Sequence, residues 1–352
     1  MPTKPVLILD PHWRRIDELF SNSDLAELGQ KCEIVWGHNE SMPRELLEQE
    51  LSRATVLVSA RPALSVDHLK SAKNLRCVIE VAGSFPPTID YEGCFERGIE
   101  VLSCAPGFRR SVAEMTVAMI LSGARGIVQE HEAFRRGNEH WLEDNAATDF
   151  SLYGQTLGFV GFGSIARECC RLLGPFAPEI LAYDPWLPAE LIRAHGAEKS
   201  DLEAVLGHSR CVVVAAVPTR ENRGLIDAAA LERMTPGALL VLVSRAHLVD
   251  FPALLDAVAR GRIRAAIDVF PQEPVLPDDP LRSLSNLILS PHRAAAVKGG
   301  RQEIGKMILV DVARILDGHE PESLQRANPR QLGQVVGLGR VGDVENMAAA
   351  RS

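Results

Sequence analysis

The chain has 352 residues, 46% hydrophobic and 24% charged, with a formal net charge of −8. A single hydrophobic core stops growing at roughly 250 to 300 residues, so two packed bodies are expected. The negative charge argues against a phosphate-backbone ligand, hence no nucleic-acid partner, and no apolar run reaches the ~18 to 20 residues of a membrane helix, hence no membrane span.

The stretch from Met1 to Asp10 places four apolar residues before a carboxylate and reads as a first strand rather than a targeting peptide, whose apolar centre is longer. Val6 to Leu9, Ile34 to Trp36, Thr55 to Val58, Val78 to Val81 and Val101 to Leu102 read as strands with helices between them, a first α/β body. Ser111-Val-Ala-Glu114 has the spacing of a capping box and opens an apolar helical stretch through Ala124, expected to bridge the two bodies. From residue 150 to 292 short apolar runs alternate with amphipathic stretches such as Ile165 to Leu173 and Phe251 to Arg260. The runs are Leu157 to Val160, Ile180 to Tyr183, Cys211 to Val217, Leu239 to Val243, Ala265 to Ile267 and Leu287 to Leu289. That alternation is the mark of a parallel sheet covered on both faces, a doubly wound domain of six strands. After Pro321 the composition turns to Gly, Arg, Asn and Gln with little periodicity, and a loosely held tail is expected beyond about residue 330. Seven cysteines (Cys32, Cys77, Cys94, Cys104, Cys169, Cys170, Cys211) form no CxxC pair and are an odd count, which fits free thiols in a reducing cytoplasm.

Gly161-Phe-Gly163-Ser-Ile-Ala166 follows one predicted strand and opens a helix, the context that turns a glycine pattern into a dinucleotide fingerprint. Gly161 permits the tight turn, Gly163 lets backbone approach a pyrophosphate at the helix N-terminus, and Ala166 allows close packing. Asp184, about twenty residues on, is placed to bind the ribose hydroxyls of NAD and to repel the extra phosphate of NADP. Ligands of open α/β sheets sit beyond the carboxyl ends of the strands, where this chain delivers Gly161, Asp184, Pro218, Ser244 with Arg245, Asp268 and His292, with Glu273 five residues past Asp268.

Hydride transfer to a 2-keto acid requires a cation for the carboxylate and carbonyl oxygens and an acid for the new alkoxide. Arg245 offers a planar, permanently charged fork, His292 is of the one side-chain type suited to exchange a proton near neutrality, and Glu273 is suited to orient it. Taken singly these are a surface or cap arginine, a loop histidine and a turn glutamate; their convergence on one edge points to chemistry. His131, His140 and His247 have no partners at metal-ligand spacing, so no metal is expected.

These residues resemble the D-isomer-specific 2-hydroxyacid dehydrogenase family over roughly residues 50 to 320. The carriers are the run from Gly154 to Ala166, Val243-Ser-Arg245 with Val249-Asp250, Asp268-Val-Phe-Pro-Gln-Glu-Pro274, and Ser290-Pro-His292. The resemblance implies that Arg245, Glu273 and His292 are catalytic. It implies that Asp268 lies on the nicotinamide side and that backbone around Ser164, Ile165 and Val243 to Arg245 holds NAD. It implies two Rossmann-like α/β domains, the cofactor domain (105–292) inserted into a discontinuous substrate domain (1–104 and 293–330), followed by a tail (331–352), with homodimerisation through the cofactor domain. It also implies a small 2-hydroxy or 2-keto acid substrate, met by Arg61 and by the N–H groups of Ala82 and Gly83 in a glycine-rich loop.

This chain departs from the family in three places. Phe85, Pro86 and Pro87 stand where the loop usually has small or polar residues, Ala246 follows Arg245 where glycine is preferred, and Arg293-Ala-Ala-Ala296 follows His292. Arg293 and the Arg109-Arg110 pair would add positive charge for a second anionic group on the substrate. Two rivals share the fold: a formate dehydrogenase-like enzyme, which pairs its histidine with glutamine and is disfavoured by Glu273, and an NAD(H)-sensing corepressor or scaffold, expected to bind partners independently of Arg245.

Overall fold

The computed structural model describes residues 4–143, 149–219 and 221–328; the tail expected at 331–352 lies outside them. The chain divides into two compact units, unit 1 comprising Met1–Arg109 with Ala295–Ser352 and unit 2 comprising Arg110–Ala294. The boundaries expected after 104 and 292 thus fall after 109 and 294. In chain order the strands are β1 (Val6–Asp10), β2 (Glu33–Trp36), β3 (Ala54–Ser59), β4 (Cys77–Glu80), β5 (Glu100–Ser103), β6 (Thr156–Val160), β7 (Glu179–Tyr183), β8 (Glu198–Lys199), β9 (Cys211–Val214), β10 (Leu239–Leu242), β11 (Arg264–Ile267), β12 (Leu287–Leu289) and β13 (Gln325–Arg326).

Unit 1 is a sheet of order β13-β5-β4-β3-β1-β2. Its strands are parallel except β13, a two-residue antiparallel edge that pairs Gln325 with Ser103. Every residue of β1 is buried, because successive side chains enter cores on opposite faces: Leu7 and Leu9 join one, Val6 and Ile8 the other. The helix Gln302–Leu316 covers the first face through Ile304, Ile308, Val312 and Ile315. Its buried Asp311 accepts the N–H groups of Glu322, Ser323 and Leu324, which steers the chain into β13.

Unit 2 is an all-parallel sheet of order β12-β11-β10-β9-β6-β7-β8. The short edge strand β8 adds to the six expected, and β9 ends at Val214 rather than Val217. The helix Ser164–Leu173 buries Ala166, Cys169, Cys170 and Leu173, the spacing of one helical face. A second correction concerns the expected capping box. The helix runs Arg109–Ala124, so Ser111 is a buried interior residue and the turn Ala105–Phe108 supplies the approach. All seven cysteines are free and buried, and among the described residues no single helix is long and apolar enough to cross a membrane.

Candidate active site

Counted from β6, the strands of unit 2 run 3-2-1-4-5-6-7 across the sheet, so the direction of winding reverses between β6 and β9. A crevice opens at such a reversal beyond the carboxyl ends of the strands. Gly161 lies directly after β6 with φ +88°, and a Cβ there would stand 2.4 Å from Cα of Ala216 in the chain leaving β9. Only glycine fits that turn. Phe162 donates its N–H to Oδ2 of Asp184 at 2.9 Å, while Trp186 and Leu187 donate to Oδ1 at 3.0 and 3.2 Å. Asp184 therefore ties the glycine turn to the end of β7 and is itself held in place.

Gly163 is exposed, and a Cβ on it would meet nothing within 4 Å. Its lack of a side chain answers no packing need of the chain itself, which fits close approach by a ligand. No side chain caps the helix that Ser164 and Ile165 begin, so its first N–H groups and positive dipole end are left for an anion. These features fit a dinucleotide pyrophosphate. Beyond β9, Pro218 is buried. Beyond β10, Val243 is buried and the Ser244 hydroxyl donates to the carbonyl of Val214 at 3.0 Å, pinning the segment that carries Arg245.

His292 follows β12 with φ +48°, an uncommon conformation for a residue with a side chain. The loop is held there from below. Asp268, only 1% exposed, accepts the Ser290 hydroxyl at 2.5 Å and the N–H groups of Arg293 and Ala294 at 3.0 Å, and its carbonyl accepts the His292 N–H. Asp268, expected on the nicotinamide side, is thus engaged in bracing the histidine loop. The ring so placed puts Nδ1 2.6 Å from Oε2 of Glu273, whose Oε1 accepts the Phe270 N–H at 2.8 Å. Burial pushes the Glu273 carboxyl up. The hydrogen bond and charge of His292, the Phe270 N–H and the charge of Arg245 together outweigh it and hold Glu273 below its ordinary value. An ionised Glu273 accepts only, so Nδ1 carries a proton toward it and Nε2 is the nitrogen left to exchange one with a ligand. Arg245 is partly buried, extended at φ −151°, with Nη1 donating to the Ser244 carbonyl at 2.7 Å.

In unit 1 Arg61 follows β3, its N–H bonded to the Ser59 hydroxyl at 3.1 Å. The glycine-rich loop follows β4. Ala82 donates its N–H to Oε1 of Glu80 at 2.7 Å, and Gly83 and Ser84 donate to Oε2 at 2.8 Å each. The N–H groups expected to meet a substrate carboxylate are therefore directed onto the chain's own carboxylate. Burial raises Glu80 to about 7, against the pull of those N–H groups and of the Ser103 hydroxyl. Gly83 has φ +92°, and a Cβ there would lie 2.7 Å from the Phe108 ring. The Tyr91 hydroxyl donates to the Pro86 carbonyl at 2.8 Å, so the unusual Phe85-Pro86-Pro87 segment is fastened down. Glu80, Phe108 and the loop His12 to Arg14 were not among the candidates from sequence. The available signal was a glutamate closing an otherwise apolar strand.

The strand order, the glycine turn after the first strand and the carboxylate after the second define a dinucleotide-binding α/β protein. The profile described as D-isomer specific 2-hydroxyacid dehydrogenase, NAD binding domain, matches residues 117–294. D-3-phosphoglycerate dehydrogenase of Archaeoglobus fulgidus is 31% identical over 292 residues, 82% of this chain and 54% of that protein. Glyoxylate reductase of Pyrococcus furiosus is 30% identical over 298 residues, 82% of this chain and 88% of that one. The crystal structure of a phosphoglycerate oxidoreductase from Rhizobium etli is 36% identical, with a TM-score of 0.82 over 92% of this chain and 99% of that chain. This chain belongs to the D-isomer specific 2-hydroxyacid dehydrogenase family. It spans about half the length of the phosphoglycerate dehydrogenases it matches.

Proposed function

We propose that the protein is an NAD-dependent dehydrogenase that moves a hydride between nicotinamide and C2 of a small D-2-hydroxy or 2-keto acid. The observation that carries this reading is the 2.6 Å contact between His292 Nδ1 and Glu273, on the same sheet edge as Arg245 and the glycine turn. NAD, when bound, would supply or accept the hydride; Gly161, Gly163 and the N–H groups of Ser164 and Ile165 would hold its pyrophosphate, with Pro218, Val243 and Ser244 among the residues that would contact it. Asp184 accepts a ribose hydroxyl and disfavours the 2′-phosphate, giving preference for NAD over NADP.

Arg245 orients the substrate carboxylate and polarises the neighbouring C2 oxygen. During oxidation Nε2 of His292 takes the hydroxyl proton as hydride leaves C2; during reduction it returns a proton to the oxygen that receives the electron pair. Glu273 fixes the orientation of the ring through its hydrogen bond to Nδ1. Ile127, Phe134, Trp141 and Leu142 of unit 2 are exposed apolar side chains, which supports homodimerisation through this unit. The seven buried free thiols support a cytoplasmic setting.

The test is the initial rate of NADH and NADPH oxidation across 2-keto acids from glyoxylate and hydroxypyruvate to phosphorylated and aromatic ones. Turnover that favours NADH and vanishes in His292→Ala is the expected result; NADH binding without turnover of any 2-keto acid overturns the proposal.

A further inference from the structure

The strands of unit 1, without the β13 edge, run 2-1-3-4-5, so the winding of this sheet reverses between β1 and β3. Its crevice lies beyond Asp10 and Ser59, where the chain places His12, Trp13 and Arg14 on one side and Arg61 on the other. Arg14 is only 8% exposed, yet its Nε has no hydrogen-bond partner, and among the described residues no carboxylate lies within ion-pair distance of it. Its guanidinium carbon lies 4.3 Å from the centre of the Trp13 ring and 5.4 Å from that of Phe108, the ring that rests on Gly83 of the glycine-rich loop.

The charges that face Arg14 do not balance it. Arg301 adds a second guanidinium, which donates to Glu18 at 3.0 Å and so engages that carboxylate, and whose own Nε is also buried without a partner. Glu80 is bound by Ala82, Gly83 and Ser84, and Cys104 is a buried thiol pushed well above its ordinary value, hence neutral. Burial, followed by the charge of Arg301, lowers Arg14 to about 10. Stacking on two rings compensates only part of the cost of removing a guanidinium from water. On the same side as Arg14, His12 stands with φ +59°, half-buried and lowered by that burial, with Asp10 opposing the shift and Arg61, across the crevice, adding to it. This edge therefore carries a buried guanidinium with no ion-pair partner among the described residues at the place where the topology opens a crevice.

We propose that the carboxyl edge of unit 1 is an anion site with Arg14 as its principal donor, and that its ligand is the second anionic group, a phosphate or a second carboxylate, of a small 2-hydroxy or 2-keto acid. The 2-hydroxy acid part of that ligand rests on the function proposed above; the anion site does not. The N–H groups of the adjacent loop, directed onto Glu80, leave a guanidinium as the donor for a further anion.

The experiment uses the full chain in two arms. In the first, calorimetry measures inorganic phosphate binding by wild type, Arg14→Gln and Arg14→Lys at neutral pH, with melting temperatures to confirm folding. In the second, kcat/KM is compared for phosphohydroxypyruvate against hydroxypyruvate and for oxaloacetate against pyruvate, which separates a phosphate from a carboxylate ligand. The expected result is phosphate affinity lower by at least about tenfold in Arg14→Gln, partly kept in Arg14→Lys, and collapse of one of the two ratios by a similar factor. Equal phosphate affinity and equal ratios in wild type and a folded Arg14 variant overturn the site; should Arg14→Gln not fold, the same comparison with Arg14→Lys decides. Arg14-dependent phosphate binding with no turnover of any 2-keto acid supports the site and overturns the dehydrogenase reading instead.

Discussion

Each unit is built on a sheet of parallel strands, with β13 an antiparallel edge in unit 1, and in each a loop after a central strand turns backbone N–H onto a carboxylate, yet the two loops end in different chemistry. After β6 the carboxylate is Asp184, delivered from the neighbouring strand, and it takes the Phe162 N–H while the first turn of the helix Ser164–Leu173 stays uncapped. After β4 the carboxylate is Glu80, the last residue of the same strand, and it takes three consecutive N–H groups of its own loop. One loop is left prepared for an anion from outside; the other already holds one from inside. In both sheets the residues at the carboxyl ends of the strands decide what each can bind.

The largest effect belongs to unit 2. Arg245→Ala is expected to lower kcat/KM by about 10³, within the 10² to 10⁴ typical of such groups, while NADH binding measured by fluorescence persists. Because the Glu273 carboxyl is held below its ordinary value, its contribution is present above that value and lost as pH falls through the depressed one. Glu273 is then already ionised between pH 5 and 8, so Glu273→Gln should lower kcat/KM across this whole range, and a variant that matches wild type throughout it would contradict the assigned role.

The next effect belongs to unit 1 and has the opposite sign. A carboxyl raised from 4.5 to about 7 by burial costs nothing where both folded and unfolded chains are protonated; the cost grows as pH rises above 4.5 and is complete above about 7. That interval corresponds to about 3 kcal/mol. Urea unfolding from pH 4 to 8 should show wild type losing stability relative to Glu80→Gln over this window, and parallel curves would mean that the loop N–H groups fully compensate the buried charge. Gly161→Ala, forced to φ +88° and against Ala216, should destabilise unit 2 by about 2 kcal/mol, visible as a lowered melting temperature. Asp184→Ala should narrow the NADH-over-NADPH preference by about tenfold in kcat/KM, and an unchanged ratio would remove its assigned role.

The sheet of unit 2 was legible because fully buried parallel strands must be apolar runs, and five of its seven strands begin and end within one residue of those runs. The edge strand Glu198–Lys199 was not, since two polar residues carry no hydrophobic pattern. Gly161 and Asp184 were readable from spacing because both roles are backbone-local. Arg14 and Glu80 were not, because a buried charge leaves no periodic mark, and only the packing of Phe108 against Gly83 and the curl of the loop onto Glu80 reveal them. Asp268 was found as a chain-edge carboxylate, but its grip on Ser290, Arg293 and Ala294 depends on a loop path that local sequence does not specify.

The most direct test of the account is to follow deuterium from [4,4-²H₂]NADH into the product, comparing wild type with His292→Ala on the 2-keto acid that wild type turns over best. The account predicts deuterium at C2 of a D-2-hydroxy acid from wild type and none above background from the variant. Label delivered elsewhere, or delivered equally by the variant, would contradict it.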